Sequence, residues 1–235
     1  DADVALVSSV DLDHQEWLGP DRDSIGREKA GIFRPGRAAV FGGENPPAGL
    51  LEQADQIGAR LLLAGRDFRV RLRDEGWDWE GLGRQRTGLP LPALRGSFQV
   101  RNAAAVIATL EAVADRLAIS TVALREGLLG VRLAGRFEVF PGPVTLVFDV
   151  AHNVEAARAL AENLGSYAAD GGRTLAVFSM LRDKDVTSVA RILAPQIAEW
   201  FYAPLPVERA TSGEELAARL AAAGVAAVAH GHPDL

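Results

Sequence analysis

The sequence contains no cysteine, and that single absence excludes disulfide staples and thiolate metal sites. No apolar run approaches the ~20 residues needed to span a bilayer, and no signal-peptide pattern is present. No basic cluster stands out either. The net charge is −6, with Lys and Arg dispersed among carboxylates as on a solvated surface, which argues against nucleic acid as the main partner. Internal repeats and low-complexity segments are lacking. These absences leave a globular chain expected to be cytoplasmic, with no membrane and no nucleic-acid partner. What remains is 235 residues, 48% of them apolar, enough for one large packed domain or two small ones.

Strand and helix patterns alternate along that length. Segments 4–8, 38–41 and 60–63 read as strands, with helices over 22–32 and from Pro46-Pro47 to about Ile57. Phe68 to Arg73 alternates strictly and pairs through Asp74-Glu75-Gly76 with Trp77-Asp78-Trp79, the signal of a half-exposed hairpin. An alanine-rich helix follows over 98–117, and another over 120–130. After Gly135 and the turn Pro141-Gly142-Pro143 the pattern restarts, which places a domain boundary at roughly 135–140. The run 144–148 reads as a central parallel strand. Asn153 then caps a helix to Leu164, and a strand covers 174–178. Asp183 starts a helix, and a strand covers 199–202. Ser212 caps a helix ending near Gly224, and 225–229 makes the last strand. This order is that of a doubly wound α/β fold.

In such folds chemistry gathers beyond the carboxyl ends of the strands, and several polar residues fall there. His14 stands in the loop after the first strand, where an imidazole suits a divalent metal or a phosphate oxygen; Lys29 follows fifteen positions later on a short helix. The plain alternative is a loop-capping histidine and a solvated lysine. Asp149 ends a strand, and His152-Asn153 open the next helix. A carboxylate there suits ribose hydroxyls, and a helix N-terminus attracts phosphate, although a turn residue and an N-cap look the same in sequence. The guanidinium of Arg136, at the junction, forks naturally onto phosphate oxygens. The amide of Asn102 carries the donor and acceptor an adenine edge requires. In Asp183-Lys184-Asp185, Lys184 would neutralise phosphate, or be one charge in a helix start.

The wording around these residues carries more than their spacing. Asp13-His14-Gln15-Glu16-Trp17-Leu18-Gly19 leads into Ser24-Ile25-Gly26-Arg27-Glu28-Lys29-Ala30-Gly31-Ile32. Further along come Gln99-Val100-Arg101-Asn102-Ala103, Gly135-Arg136-Phe137-Glu138, Asp149-Val150-Ala151-His152-Asn153 and Asp183-Lys184-Asp185. Together, and in this order, they resemble the folylpolyglutamate synthase/dihydrofolate synthase family of the Mur ligase superfamily over nearly the whole chain. The resemblance implies the C-terminal part of a Mur-type ATP-binding domain over 1–136, followed by a Rossmann-like glutamate ligase domain over 137–235 that stops short of the family's usual end.

It also implies an ATP-dependent ligase that adds L-glutamate to dihydropteroate or to reduced folates through an acyl phosphate, with ATP and Mg2+ as cofactors. Within it, His14 and Lys29 would hold the metal, the lysine as a carbamate, and His152 would lie by the phosphates as a further catalytic residue. Asn102, Arg136, Asp149 and Lys184 would bind nucleotide. Two departures stand out. Phe98 occupies the place where the family's His-Gln-x-x-Asn-Ala motif often has histidine, and there is no Gly-x-x-Gly-Lys-Ser/Thr phosphate loop. With the chain entering a strand at once from Asp1, a fragment of a longer enzyme is expected, inactive alone. The alternatives are another Mur-type amino-acid ligase of cell-wall synthesis, or a non-catalytic nucleotide-binding module.

Overall fold

A computed structural model describes residues 2–12, 15–167, 172–225 and 228–234, with the side chains of Gln15 and Glu16 excepted. The chain divides into two compact units, Asp1–Leu133 and Ala134–Leu235.

Unit 1 is built on three parallel strands in sequence order, β1 (Val4–Val7), β2 (Ala38–Phe41) and β3 (Arg60–Leu63). All four residues of β2 are buried, because each face of the sheet is covered. A strand hidden on both sides must be apolar throughout, and Ala-Ala-Val-Phe is. Ala39 and Phe41 pack with Ile25, Phe33 and Leu50 on one face. Ala38 and Val40 pack on the other with Trp77, Trp79 and the alanines of a later helix.

On the first face lie the helices α2 (Arg22–Ala30) and α3 (Ala48–Ile57), preceded by a single turn, α1 (Gln15–Leu18). The start of α2 is set by a capping box, in which Asp21 accepts from the Ser24 amide at 2.8 Å and Ser24 Oγ accepts from the Asp21 amide at 3.2 Å. Pro47 is the N-cap of α3 rather than part of its first turn. The two helices meet through glycine. A Cβ on Gly26 would lie 2.9 Å from the Pro47 Cβ, and one on Gly49 would overlap the Asp23 carbonyl oxygen. Alanine is the better helix former by ~1 kcal/mol. Gly49→Ala should nevertheless destabilise, by about 1–3 kcal/mol, because the backbone it strikes cannot swing away. Urea unfolding of the variant measures this, and an unchanged midpoint would contradict the close approach.

Beyond β3 the chain makes an antiparallel meander of β4 (Phe68–Arg73), β5 (Gly76–Gly81) and β6 (Arg84–Leu89). The expected hairpin is present, but Trp77 and Trp79 are both fully buried, and β6 is a third strand that its polar sequence does not announce. The Trp79 indole donates to the Ala104 carbonyl at 3.1 Å in α4 (Phe98–Glu111). That helix ends six residues earlier than its alanine-rich pattern suggests, in a series of turns from which Arg116 pairs with Asp3. Its last residue, Glu111, is buried and accepts from Arg84 at 3.0 Å and Arg86 at 2.6 Å. Helix α5 (Thr121–Gly130) closes the unit, with the Ser120 hydroxyl accepting from the Ala123 amide at 3.1 Å.

In unit 2 the apolar run 144–148 is no central parallel strand. It supplies β8 (Leu146–Phe148), which pairs antiparallel with β7 (Glu138–Phe140) across the Pro141-Gly142-Pro143 turn, and Leu146 and Phe148 are about half exposed. The nearest partner wins because a short turn joins the two segments at small entropic cost. After α6 (Val154–Tyr167) comes a parallel sheet, β9 (Leu175–Phe178), β10 (Glu199–Tyr202) and β11 (Ala229–Gly231), with α7 (Val186–Leu193) and α8 (Gly213–Ala222) between its strands. Trp200 and Phe178, edge to face at 5.3 Å, centre the core with Val189, Leu216 and Leu220. Strand β11 begins at Ala229, where 225–229 was expected, and residues 226 and 227 lie outside those described.

Helix α7 starts at Val186, three residues later than the sequence suggests, and its N-cap is Asp185. The Ser188 side chain and amide hold the Asp185 carboxyl below its ordinary value of 3.8. A depressed folded pKa stabilises above the unfolded value, and this contribution is lost as pH falls through the folded one. Asp185→Asn retains the cap acceptor but cannot titrate. Wild type should therefore lose more stability than this variant between pH 5 and pH 3, in urea titrations at about those two values. Equal losses would refute the assignment. No helix among the described residues is long and apolar enough to cross a membrane.

Candidate functional site

In unit 1 the polar groups collect at the carboxyl edge of the β1–β2–β3 sheet. Val7 and Phe41 end their strands in register, and the Gly42 amide donates to the Val7 carbonyl at 3.0 Å. A Cβ on Gly42 would lie 2.7 Å from the Ala105 Cβ and 3.4 Å from the Ser8 carbonyl oxygen, so glycine lets α4 close over the strand ends. From that helix Arg101 reaches Glu44, in the loop after β2, at 2.5 Å. Arg22 braces the loops after β1 and β2, donating to the Val10 and Asn45 carbonyls at 3.0 Å each.

Two of the expected site residues belong to this edge. Lys29, in the last turn of α2, donates from Nζ to the Ser9 carbonyl at 3.1 Å, just past β1. Asn102 is half-buried in α4 and donates from Nδ2 to the buried Gln99 at 3.3 Å, which leaves its carbonyl oxygen available as an acceptor. His14 lies outside the described residues. Among the described residues no group of three or more His, Asp or Glu side chains is placed to hold a metal. Lys29 does not supply a ligand as it stands, because an ammonium has protons to donate and no lone pair.

In unit 2, Arg136, Asp149 and His152 are brought together by one hydrogen-bonded loop pair. Asp149, at the end of β8, accepts from the Phe137 amide through Oδ2 and from the Ala151 amide through Oδ1, each at 2.8 Å. The Val150 amide donates to the Gly135 carbonyl at 3.0 Å, and the Glu138 carboxylate accepts from the Gly135 amide at 3.1 Å. His152 Nδ1 lies 2.9 Å from the Val150 carbonyl, and Asn153 caps α6 by accepting from the Ala156 amide at 2.9 Å. An α-helix N-terminus, an imidazole and the exposed Arg136 therefore border one short stretch of chain.

The backbone there is unusual. Gly135 has φ +65°, and Phe137, which is not glycine, has φ +47°. A left-handed non-glycine residue costs roughly 1–2 kcal/mol. A hydrogen bond from an amide to a charged carboxylate contributes ~1.5–3 kcal/mol, enough to offset that strain. Phe137 is also anchored by burial, its ring edge-on to Tyr167 at 5.7 Å.

Lys184 is no solvated helix-start charge. It is 8% exposed, its Nζ lies 3.7 Å from Asp183 Oδ2, and its carbonyl accepts from Arg219 at 2.8 Å. Burial alone would raise the Asp183 carboxyl, but hydrogen bonding from Arg209 and from its own backbone amide, with the charges of Arg209 and Lys184, holds it below the usual range. Sequence reasoning passed over Gly42, Arg22, and the Glu44–Arg101 pair. Only Gly42-Gly43, directly after a strand, carried a local signal of close approach.

Residues 135–234 match the family model described as Mur ligase, glutamate ligase domain. The chain is 38% identical over 216 residues to the dihydrofolate synthase/folylpolyglutamate synthase of Escherichia coli, covering 92% of this chain and 50% of that protein. It is 33% identical over 237 residues to the protein of the same name from Haemophilus influenzae, covering 94% of this chain and 53% of that one. It thus spans about half the length of the curated relatives it matches. Among solved structures, E. coli FolC in complex with DHPP and ADP superposes with a TM-score of 0.89 at 36% identity, over 100% of this chain and 53% of that one. A bifunctional folylpolyglutamate synthase/dihydrofolate synthase with Mn, AMPPNP and L-glutamate bound superposes with a TM-score of 0.87 at 38% identity, over 100% and 54%. A mixed α/β fold shared over the whole of this chain at this level of identity makes it similar to folylpolyglutamate synthase/dihydrofolate synthases over about half of their length, with residues 135–234 matching a Mur ligase glutamate ligase domain.

Proposed function

We propose that the protein carrying this chain is a cytoplasmic, ATP-dependent carboxylate–amine ligase that joins L-glutamate to dihydropteroate, to reduced folates, or to both. One observation carries the reading. The whole chain follows, at TM-score 0.89 and 36% identity, a protein solved with DHPP and ADP, and the polar groups of each unit gather at strand ends and a helix N-terminus. The same likeness favours a folate ligase over a cell-wall one.

The substrate carboxylate takes the terminal phosphoryl group of ATP, releasing ADP, and the amino group of glutamate then attacks the acyl carbon. Phosphate leaves as the amide forms. In this reading Asn102 of unit 1 suits an adenine edge, and in unit 2 Asp149 suits ribose hydroxyls while Arg136, His152 and Lys184 suit phosphates. His14 and Lys29, the latter as a carbamate, would hold magnesium, which when bound neutralises charge on phosphoryl oxygens. The chain's own cations and amide donors orient the nucleotide and keep it aligned for transfer. The test is ADP release by the protein that carries this chain, with dihydropteroate or tetrahydrofolate, with and without glutamate. Release that requires both substrates is expected. Release with a muramyl precursor and an amino acid, and none with pterin substrates, would overturn the proposal.

A further inference from the structure

We infer that Asp149 is a positioning residue for Arg136: its carboxylate holds the Gly135-Arg136-Phe137 turn so that the guanidinium is presented outward to a phosphate. The inference rests on the nucleotide reading above and deepens it. Both oxygens of Asp149 are engaged by backbone, Oδ2 by the Phe137 amide and Oδ1 by the Ala151 amide. The carboxylate thus staples the strand end at Asp149 to the turn twelve residues earlier, directly beside Arg136. Left-handed backbone flanks the arginine on both sides, at Gly135 and at Phe137. Neither flank can relax freely. A Cβ at Gly135 would lie 2.8 Å from Val150 Cγ1, and the Phe137 ring is buried.

Each neighbour of Arg136 is therefore tied down, while Arg136 itself is exposed. A planar, forked cation recognises phosphate only when its direction is set, so the residue that sets the turn controls that recognition. A carboxylate acting only by gripping ribose would be independent of the arginine. One acting through the turn would not.

The two cases separate in a double-mutant cycle on the full chain, with ADP and adenosine as probes in NMR titrations, and with amide hydrogen exchange as a readout that needs no ligand. Asparagine can accept one amide but turns an N–H₂ toward the other. Asp149→Asn should abolish exchange protection at Phe137 or Ala151, while the amides of β9 and β10 stay protected, which also shows that the unit remains folded. Arg136→Ala should weaken ADP about tenfold and leave adenosine unaffected, and adding it to Asp149→Asn should weaken ADP no further than Asp149→Asn alone. Additive losses, adenosine binding weakened by Arg136→Ala, or unchanged protection at both amides would each overturn the inference. If Arg136→Ala leaves ADP binding intact while Asp149→Asn still frees the turn, the nucleotide reading fails and the proposed role fails with it, although the staple itself stands.

Discussion

Lys29→Arg is expected, under the ligase reading proposed above, to cost the protein that carries this chain as much turnover as Lys29→Met, about 10²–10³-fold in kcat, with a much smaller change in the KM for ATP. Lys29, in the last turn of α2, places its Nζ on the Ser9 carbonyl just past β1, at the strand ends where the proposed reading puts the transferred charge. A group that acts on charge growing in the transition state shows its loss in kcat, not in ground-state affinity. The two substitutions divide the ways in which lysine can act there. As a bare ammonium on phosphate, lysine has a partial substitute in arginine, which keeps the positive charge. As a carbamate supporting a cation it has none, because a guanidinium is not converted to a carboxylate-like group and repels the metal instead. Steady-state kinetics at saturating magnesium decides between them. Recovery of most of the turnover by Lys29→Arg would sink the metal-support assignment.

Removing the carboxylate of Glu111 is the structural change with the largest expected effect. Its side chain is 2% exposed and holds Arg86, itself 16% exposed, at 2.6 Å, while Arg84 reaches in from solvent at 3.0 Å. Arg86 also donates to the Thr121 hydroxyl at 3.1 Å, tying β6 to the start of α5. Glu111→Ala leaves a largely buried guanidinium without its counter-charge, which costs ~3–5 kcal/mol. For a unit of this size that is roughly a 10–20 °C fall in the melting temperature. Arg84→Ala, by contrast, removes a half-exposed partner and should cost less than about 1 kcal/mol. Replacing Glu111 by leucine and Arg86 by methionine together should recover most of the loss, since a buried pair is often matched by apolar packing. Scanning calorimetry of the three variants checks the order. A Glu111→Ala protein that melts within a few degrees of wild type would show that the cluster is hydrated rather than buried.

The same cluster shows where reading a sequence stops. The strands β1, β2 and β3 and the helices α2 to α5 were legible because their signals are local. A run of apolar residues, a 3.6-residue period and a capping serine or asparagine act within one turn or one strand. The caps at Asn153 and Ser212 were read correctly for that reason. So were the family's motifs, which name residues but do not say what those residues touch.

Tertiary structure decided the rest. Arg84-Gln85-Arg86-Thr87-Gly88-Leu89 carries no strand-like alternation, and becomes β6 because β5 offers an open edge beside it and Glu111 pairs with its arginines. The run at 144–148 has the composition of a central parallel strand, yet it pairs with β7 because that segment lies one short turn away. Lys184 looks like a surface charge and is buried, because Asp183 balances it and Arg219 holds its carbonyl. Asp149 reads as a free carboxylate at a strand end, and both its oxygens are spent on backbone amides two and twelve residues away. Propensity, period and caps are properties of neighbours in sequence, so the sequence alone determined the elements whose signals are local. Pairing partners, the burial of a charge and the engagement of a carboxylate depend on groups brought near only by folding, and those the tertiary structure settled.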